Sequence, residues 1–249
     1  MKTTLRIAVL VSALLLALLP TSATSAQQTD AEARSIARSV LETMGGQAAW
    51  DNTRLIAWKF MGGRQHYWDK WSGDIRIEIP ESSRGPERLV LMNLNTREGR
   101  AWSEGQELSG DALAEALEGG WRAWVNDAYW MFMPYKLLDP GVNLRYVGED
   151  IMADDREADV LEMTFESVGV TPQNRYLVYV AKDSGLVEQW SYFANRDDSE
   201  PGFTAPWANW QRFGEIMLAT DKGRGLDWDI HTWNEVPAGL FTDPAFSLQ

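Results

Sequence analysis

Hydrophobic residues near the start of the chain recur every three to four positions, as on one face of an α-helix. Thr29 and Glu32 have the spacing of an N-terminal capping box, and Gly45-Gly46 supplies a helix stop. The apolar positions between them are Ala33, Ile36, Ala37, Val40, Leu41 and Met44. We therefore predict a first helix that begins near Thr29 and packs one apolar face onto a sheet.

From Arg54 onward the period changes to two, which is typical of half-buried β-strands. The clearest example is Asp74–Ile79, whose isoleucines should face inward and whose charged residues should face outward. The other predicted strands are Arg54–Phe60, Arg64–Trp71, Arg88–Leu94, Gly99–Trp102, Val142–Val147, Asp159–Phe165, Asn174–Ala181, Leu186–Phe193, Gln211–Ala219 and Leu226–Trp233. Arg196–Pro206 is expected to be an acidic, proline-bearing loop.

The middle of the chain, Trp121–Gly148, holds the densest group of aromatic and methionine residues. Helical spacing predicts a helix that Pro134 ends, because proline disfavours helical geometry in the residue before it. Its apolar face comprises Trp121, Trp124, Val125, Ala128, Met131 and Phe132, widened by Tyr129, Trp130 and Met133. Arg122, Asn126 and Asp127 are expected on the opposite side.

A shorter helix should precede this one. Ser109 is a suitable N-cap for a helix that runs through Leu113 and Leu117. Gly119-Gly120 is expected to separate the two helices. Together with Pro134 it marks candidate hinge points for a movable segment.

These elements predict an α+β fold. Consecutive antiparallel hairpins build a long sheet, and such a sheet must curl because β-strands twist. We expect a long curved antiparallel β-sheet, a half-barrel, with an N-terminal helix and a mid-chain helical insertion on its concave face. Residues 27–249 should form a single domain, because no linker or repeat divides them.

The first 26 residues have the pattern of a secretory signal peptide. Lys2 and Arg6 precede an apolar run, Ile7–Leu19, and Thr24-Ser25-Ala26 is a small-residue cleavage site. The run is too short for a confident membrane span, so we expect no stable membrane insertion after cleavage. The sequence thus predicts a periplasmic or secreted protein.

The charge of the chain argues against a nucleic-acid partner. It has 23 basic and 36 acidic residues, and loss of Lys2 and Arg6 with the signal would change the net charge from −13 to −15. Phosphate binding needs the opposite sign. With 0 Cys, disulfides, thiolate metal sites and cysteine nucleophiles are excluded.

No catalytic or metal-binding pattern stands out. His66 and His231 are far apart in sequence, and Asp154-Asp155 and the acidic segment 197–200 lack the spacing of a calcium loop. Phosphate and dinucleotide loops are absent from the sequence, so we expect no cofactor and no metal. Carboxylate pairs suited to glycoside cleavage could be Glu162 with Glu166, or Asp69 with Asp74.

The aromatic stretch admits two interpretations. Its side chains could be ordinary core, or they could line a cavity for an acyl chain, because methionine adapts to irregular apolar partners and tryptophan offers a large apolar face. The candidate lining residues of the stretch are Trp124, Trp130, Met131, Phe132, Met133 and Tyr135.

The order of elements resembles the LolA/LolB-like fold of periplasmic lipoprotein-sorting and lipid-handling proteins. The segments WDKWSGDIRIE, LMNLNTREG, NDAYWMFMPYKLLDPGV, VGVTPQNRYLVYV and PGFTAPW are similar to those of an uncharacterised family of secreted bacterial proteins. The LolA-like resemblance implies a half-barrel that holds acyl chains under a helical lid, here Trp121–Met133. It places Trp58, Trp68, Met163 and Trp190 on the cavity wall.

The resulting hypothesis is a non-enzymatic periplasmic protein that binds a lipid or a lipid-modified protein. One alternative is a glycan-binding or glycan-processing envelope protein, with tryptophan platforms around Trp207-Ala208-Asn209-Trp210. Another is an interaction module of an envelope complex.

Overall fold

The computed structural model describes residues 22–83, 85–166, 168–223, 225–226 and 228–247, with side chains from residue 31 onward. The predicted signal peptide lies outside this range except for Ser22–Ala26. The described helices are α1 (Ser22–Thr43), α2 (Gly46–Asn52) and α3 (Gly110–Phe132), and a 3₁₀ turn, Met133–Lys136, follows α3.

The strands form two open antiparallel sheets and a separate hairpin. The first sheet contains β1 (Leu55–Phe60), β2 (Arg64–Asp69), β3 (Asp74–Ile79), β4 (Arg88–Asn93), β5 (Gly99–Ser103), β6 (Gln106–Glu107) and, beside β1, β14 (His231–Trp233). The second contains β7 (Val142–Ile151), β8 (Glu157–Phe165), β9 (Arg175–Ala181), β10 (Val187–Phe193) and β11 (Phe203–Pro206). The hairpin is β12 (Ala208–Phe213) and β13 (Ile216–Asp221).

The predicted α+β class, with long open antiparallel sheets, an N-terminal helix and a mid-chain helix, is confirmed. The sequence did not predict how the strands divide between two sheets. Along α3, Ala116, Leu117 and Trp121 pack on the first sheet, while the helix end around Phe132 enters a core that both sheets share. This helix therefore joins the two sheets. Within the described helices, none combines the length and apolar character needed to cross a bilayer.

The prediction of two helices separated at Gly119-Gly120 is wrong. α3 runs without a break through both glycines. Gly120 has a packing role, because a Cβ there would lie 2.9 Å from Val90 Cγ1, whereas a Cβ on Gly119 would meet nothing within 4 Å. Glycine here permits close approach of the helix to β4.

The predicted start of the first helix is also wrong. α1 begins at Ser22, so Thr29 lies inside the helix and does not cap it. No proline or glycine occurs between Thr21 and Met44, and the helix can therefore extend upstream of the capping-box sequence.

Three strand predictions in the second half need correction. Gln211–Ala219 is part of the β12–β13 hairpin, because Gly214 adopts a φ of 61° and turns the chain. Phe203–Pro206 is an edge strand within the predicted loop, and proline is tolerated at an edge. Among the described residues of the predicted strand Leu226–Trp233, only His231–Trp233 forms a strand.

Arg76 lies on the outer face of β3, opposite the isoleucines, as the alternation predicts, but it is buried there. Its guanidinium donates hydrogen bonds to the backbone carbonyls of Asp243 (2.9 Å) and Phe246 (3.1 Å). The C-terminal segment thus covers the outer face of the first sheet and supplies acceptors for the buried cation, as burial of a charge requires.

Candidate functional site

An open-sided groove of about 290 Å³ lies beside the C-terminal half of α3. Its other walls come from the turn after the helix, from β8 and β9, and from the loop 168–171 that connects these strands. The apolar side chains that line it include Trp121, Trp124, Val125, Tyr129, Trp130, Val142, Phe165, Val168, Val170 and Tyr176. The volume is at the lower end of the range of small-molecule sites.

Two backbone features shape the groove. Pro134 lies two residues after the end of α3, within the 3₁₀ turn Met133–Lys136, and the chain turns away through Asp139-Pro140-Gly141. Gly141 has a φ of 84°, and a Cβ there would lie 2.5 Å from Val168 Cγ1. Glycine at this position therefore allows Val168 to close one wall of the groove.

The groove lining also contains a few polar groups. Lys136 Nζ and Asp139 Oδ2 form an ion pair of 2.7 Å. The Tyr129 hydroxyl donates to the thioether of Met163 at 3.1 Å, and burial raises the pKa of this tyrosine well above its usual value. The indole N–H of Trp124 is buried without an acceptor among the described residues.

The ten predicted lining residues fall into three groups. Trp124 and Trp130 line the groove. Trp68 is partly buried against Trp50, Trp124 and Phe132. The other seven are buried in the shared core: Trp58, Met131, Phe132, Met133, Tyr135, Met163 and Trp190.

Trp130 links the groove to the core. Its ring packs edge-on against Trp190, with centroids 4.6 Å apart, and Trp190 in turn stacks on Tyr176 at 5.0 Å. Tyr135 has a structural role, since its hydroxyl donates to the Met44 carbonyl at 2.9 Å and accepts from the Met217 N–H at 3.2 Å. This hydrogen bonding ties the turn after α3 to α1 and to the hairpin.

A buried charged cluster behind the groove was not predicted from the sequence. Asp127, expected on the polar side of α3, is fully buried and forms a bidentate ion pair with Arg64, with both N–O distances 2.7 Å. Its Oδ2 also lies 2.7 Å from His66 Nε2. His66 stacks on Trp58 with centroids 4.7 Å apart, so the cluster connects α3 to β1 and β2.

The protonation states of this cluster follow from its burial. Burial lowers the pKa of His66 and outweighs the attraction of Asp127. Burial alone would raise the pKa of Asp127, but hydrogen bonds from His66 and Arg64 outweigh it and hold that pKa below its usual value. The cluster is therefore an Arg64–Asp127 ion pair with a neutral His66, whose Nε2–H donates to the carboxylate.

One sequence signal could have predicted that Asp127 is buried and paired. The predicted helix is apolar on nearly its whole circumference, so an acid within it has little access to water and needs a buried partner. Arg64 is 63 residues away, however, and only the pairing of strands and helix brings it within reach.

The other candidate chemical residues have structural partners. Asp69 accepts from Arg54 at 3.0 Å, and Asp74 accepts from Asn93 at 2.8 Å. Glu162 pairs with Arg145, and Asp154 with Arg156. In the part of the chain that the structure describes, no three His, Asp or Glu side chains converge as a metal site would require.

The glycan platform predicted at Trp207 is not available at the surface, because this side chain is 0% exposed. It packs on Trp190 with centroids 5.5 Å apart, and the ammonium group of Lys222 lies 4.3 Å from its ring centroid. Trp210 is partly buried and donates its indole N–H to the Val187 carbonyl.

The sequence matches no protein-family profile and no curated protein. A DUF1329 family protein from Desulfovibrio piger has a similar structure, with a TM-score of 0.44 and 15% sequence identity, over 86% of this chain and 99% of that one. The MucA/MucB complex of Pseudomonas aeruginosa matches with a TM-score of 0.26 and 18% sequence identity, over 76% of this chain and 64% of that one. MucB in complex with MucA(peri) matches with a TM-score of 0.25 and 16% sequence identity, over 76% of this chain and 62% of that one. Similarities this distant carry no inference about function.

Proposed function

We propose that this protein is a non-enzymatic periplasmic binding protein that holds an acyl chain in the groove beside α3. The observation that carries the proposal is the groove itself, an open-sided cavity of about 290 Å³ walled mainly by aromatic and aliphatic side chains. Apolar surface left accessible in such a concave site favours an apolar ligand. The compartment is inferred from the N-terminal sequence pattern.

The size of the groove sets the expected affinity. If a methylene occupies about as much volume as a water molecule, roughly 30 Å³, the groove accommodates about ten methylenes. Burial of about 0.8 kcal/mol per methylene then gives a gross gain of about 8 kcal/mol. Association costs at least about 4 kcal/mol, so at most about 4 kcal/mol remains and a single chain should bind with a dissociation constant of about 1 mM or above.

The first experiment asks whether the protein carries a lipid. The protein is purified without detergent and examined by native mass spectrometry, followed by organic extraction and then titration of the delipidated protein with dodecanoate. We expect either a co-purified acyl species or a rise in melting temperature with dodecanoate, because a ligand that binds only the native state stabilises it. A mass without adduct, combined with an unchanged melting temperature, would refute the proposal.

Two variants locate the binding to the groove. Val125 lines the groove on α3, and Val125→Glu places a carboxylate where the chain would lie, while Val170→Trp fills the groove from the opposite loop. Both should weaken dodecanoate binding by at least about tenfold, because one adds a desolvation cost and the other removes space.

The matched control is Ala114→Glu, which makes the same charge change at an exposed position of the same helix. It should leave binding unchanged. Equal binding by all three variants would place any lipid elsewhere on the molecule.

A further inference from the structure

A second cavity, of about 380 Å³, lies on a different part of the molecule, between the β12–β13 hairpin and the segment that leads into β14. Its lining differs from that of the α3 groove. The polar side chains are Asn209, Gln211, Thr220, Asp229 and His231, and the aromatic rings are Trp228 and Phe213. We call it the polar groove.

The hairpin wall presents two amides and a hydroxyl. Asn209 and Gln211 point the same way because alternate residues of a strand share a face. Both amide groups donate to Thr220 Oγ1, at 2.6 Å and 3.3 Å, and Thr220 donates to the Asn209 carbonyl at 2.9 Å. Neighbouring side chains thus hold these groups in place at the cavity wall.

The opposite wall presents a carboxylate and an imidazole. Asp229 Oδ1 lies 2.9 Å from His231 Nε2, and the His231 ring stacks on Trp233 with centroids 5.5 Å apart. Between the walls lies Trp228, which is almost completely buried. The imidazole therefore has a fixed position at the rim.

The backbone is unusual on both walls. Asn209 has a φ of 53° and Asp229 a φ of 43°, a left-handed conformation that is uncommon for residues other than glycine. Such conformations are tolerated best by Asn and Asp, and they concentrate at ligand sites. Here two of them occur on facing walls of the same cavity.

These groups define the chemistry of a ligand. Amides, a hydroxyl and an imidazole provide both donors and acceptors, while the one carboxylate disfavours an anion. An apolar chain would cover these exposed polar side chains without offering them hydrogen bonds, at a desolvation cost. A ring with hydroxyl groups on its edge and an apolar face can hydrogen-bond to the polar side chains and pack its apolar face on the partly exposed ring of Phe213. We propose that the polar groove is a binding site for a neutral saccharide.

The test uses cellotriose and chitotriose as neutral probes and trigalacturonate as an anionic probe. Binding to the full chain is followed by saturation-transfer NMR and by titration of intrinsic tryptophan fluorescence. We expect one or both neutral trisaccharides to bind, at least about tenfold more tightly than trigalacturonate. Absence of binding by both neutral sugars, or a preference for the anionic one, would overturn the proposal.

The site is tested with the double variant Asn209→Gly/Gln211→Ala. Glycine accepts the positive φ of residue 209, so the variant removes two amides without adding backbone strain. It should weaken saccharide binding at least about tenfold and keep the native circular dichroism spectrum. Unchanged binding in this variant would also overturn the proposal.

Two controls complete the experiment. Arg212→Ala changes an exposed side chain of the same strand that is not part of the cavity lining, and Val125→Glu changes only the α3 groove. Both should bind the saccharide as the natural chain does. Loss of binding in Arg212→Ala as well would show that the hairpin is disturbed and would argue against a specific amide contribution.

Discussion

At the scale of single residues, Asp127 has the largest expected energetic effect. Its carboxylate is fully buried and satisfies both the Arg64 guanidinium and the His66 imidazole. The contribution of Asp127 to stability is best measured by the free-energy cost of removing its carboxylate. Without the carboxylate, a guanidinium that is only 30% exposed would lose its counter-charge.

We predict that Asp127→Asn lowers the free energy of unfolding by about 2 to 3 kcal/mol. Removal of one partner from a buried pair costs more, about 3 to 5 kcal/mol, but Arg64 is partly solvated and its cost is therefore smaller. The measurement is urea denaturation at pH 7. Asp154→Asn, which affects an exposed pair with Arg156, is the control and should cost less than about 1 kcal/mol. Equal losses in the two variants would contradict the assignment of Asp127 as a buried anchor.

At the scale of elements, α3 determines how the two sheets are joined. Its N-terminal half packs on the first sheet through Ala116, and its C-terminal end reaches the shared core through Phe132. The groove lies along the C-terminal half of the helix, at Val125 and Tyr129. The groove and the packing surface therefore lie on adjacent faces of one helix.

The adjacent glycines of α3 provide a test of this packing. Alanine has the higher helix propensity, so Gly119→Ala, which places a methyl group in open space, should stabilise the protein by about 0.5 to 1 kcal/mol. Gly120→Ala should destabilise it, because the new methyl would lie 2.9 Å from Val90 Cγ1.

Thermal or urea unfolding of the two variants gives the comparison directly. Stabilisation by both would mean that α3 does not approach β4 closely. Destabilisation by both would mean that Gly119-Gly120 interrupts the helix, as the sequence pattern suggested.

At the scale of the whole molecule, buried titratable groups make the stability depend on pH. The folded-state pKa of His66 lies below its unfolded value of about 6.5, so the unfolded chain binds more protons in the interval between the two values. Stability gained from this group is complete above pH 6.5 and is lost as the pH falls through that interval.

We therefore predict that the free energy of unfolding decreases from pH 7 to pH 5.5, by at most about 1.4 kcal/mol per pH unit for this one proton. His66→Gln should be less stable overall but should lose this slope, which urea denaturation across the pH range measures. A slope that persists unchanged in the variant would show that another group is responsible.

Two lysines act at higher pH, the buried Lys222 and the partly buried Lys70. Burial lowers the pKa of Lys222 to about 7 and that of Lys70 to about 8. Both folded-state pKa values lie below the unfolded-state pKa of lysine, so the unfolded chain binds more protons at these pH values. The free energy of unfolding contributed by these groups therefore rises with pH above about 7. The slope of His66 can thus be separated from theirs by restricting the comparison to pH 5.5–7.

Much of the fold could be predicted from local patterns. The period of two in Asp74–Ile79 and Leu186–Phe193 predicted strands whose bounds the structure nearly reproduces, and Pro134 predicted the end of α3. These signals succeed because alternation and proline geometry act within a few residues. Gly119-Gly120 misled the prediction, because glycine weakens a helix but does not by itself end it.

The site was less predictable than the fold. Tryptophan at Trp124 and at Trp58 has the same sequence signal, yet one lines the groove and the other stacks on His66 in the core. Hydrophobicity shows that a side chain avoids water, but whether protein or ligand covers it depends on distant segments. The wall formed by Val168 against Gly141 is one such case.

The sequence by itself determined the α+β class, the antiparallel strands, the position of the central helix and its apolar character, because local spacing and backbone preference decide each of these. Only the tertiary structure decided the division into two sheets, the burial of Asp127 against Arg64 and His66, and the separation of groove-lining from core aromatics. These features depend on contacts between residues far apart in the chain, and hydrophobic periodicity does not specify which distant segments meet.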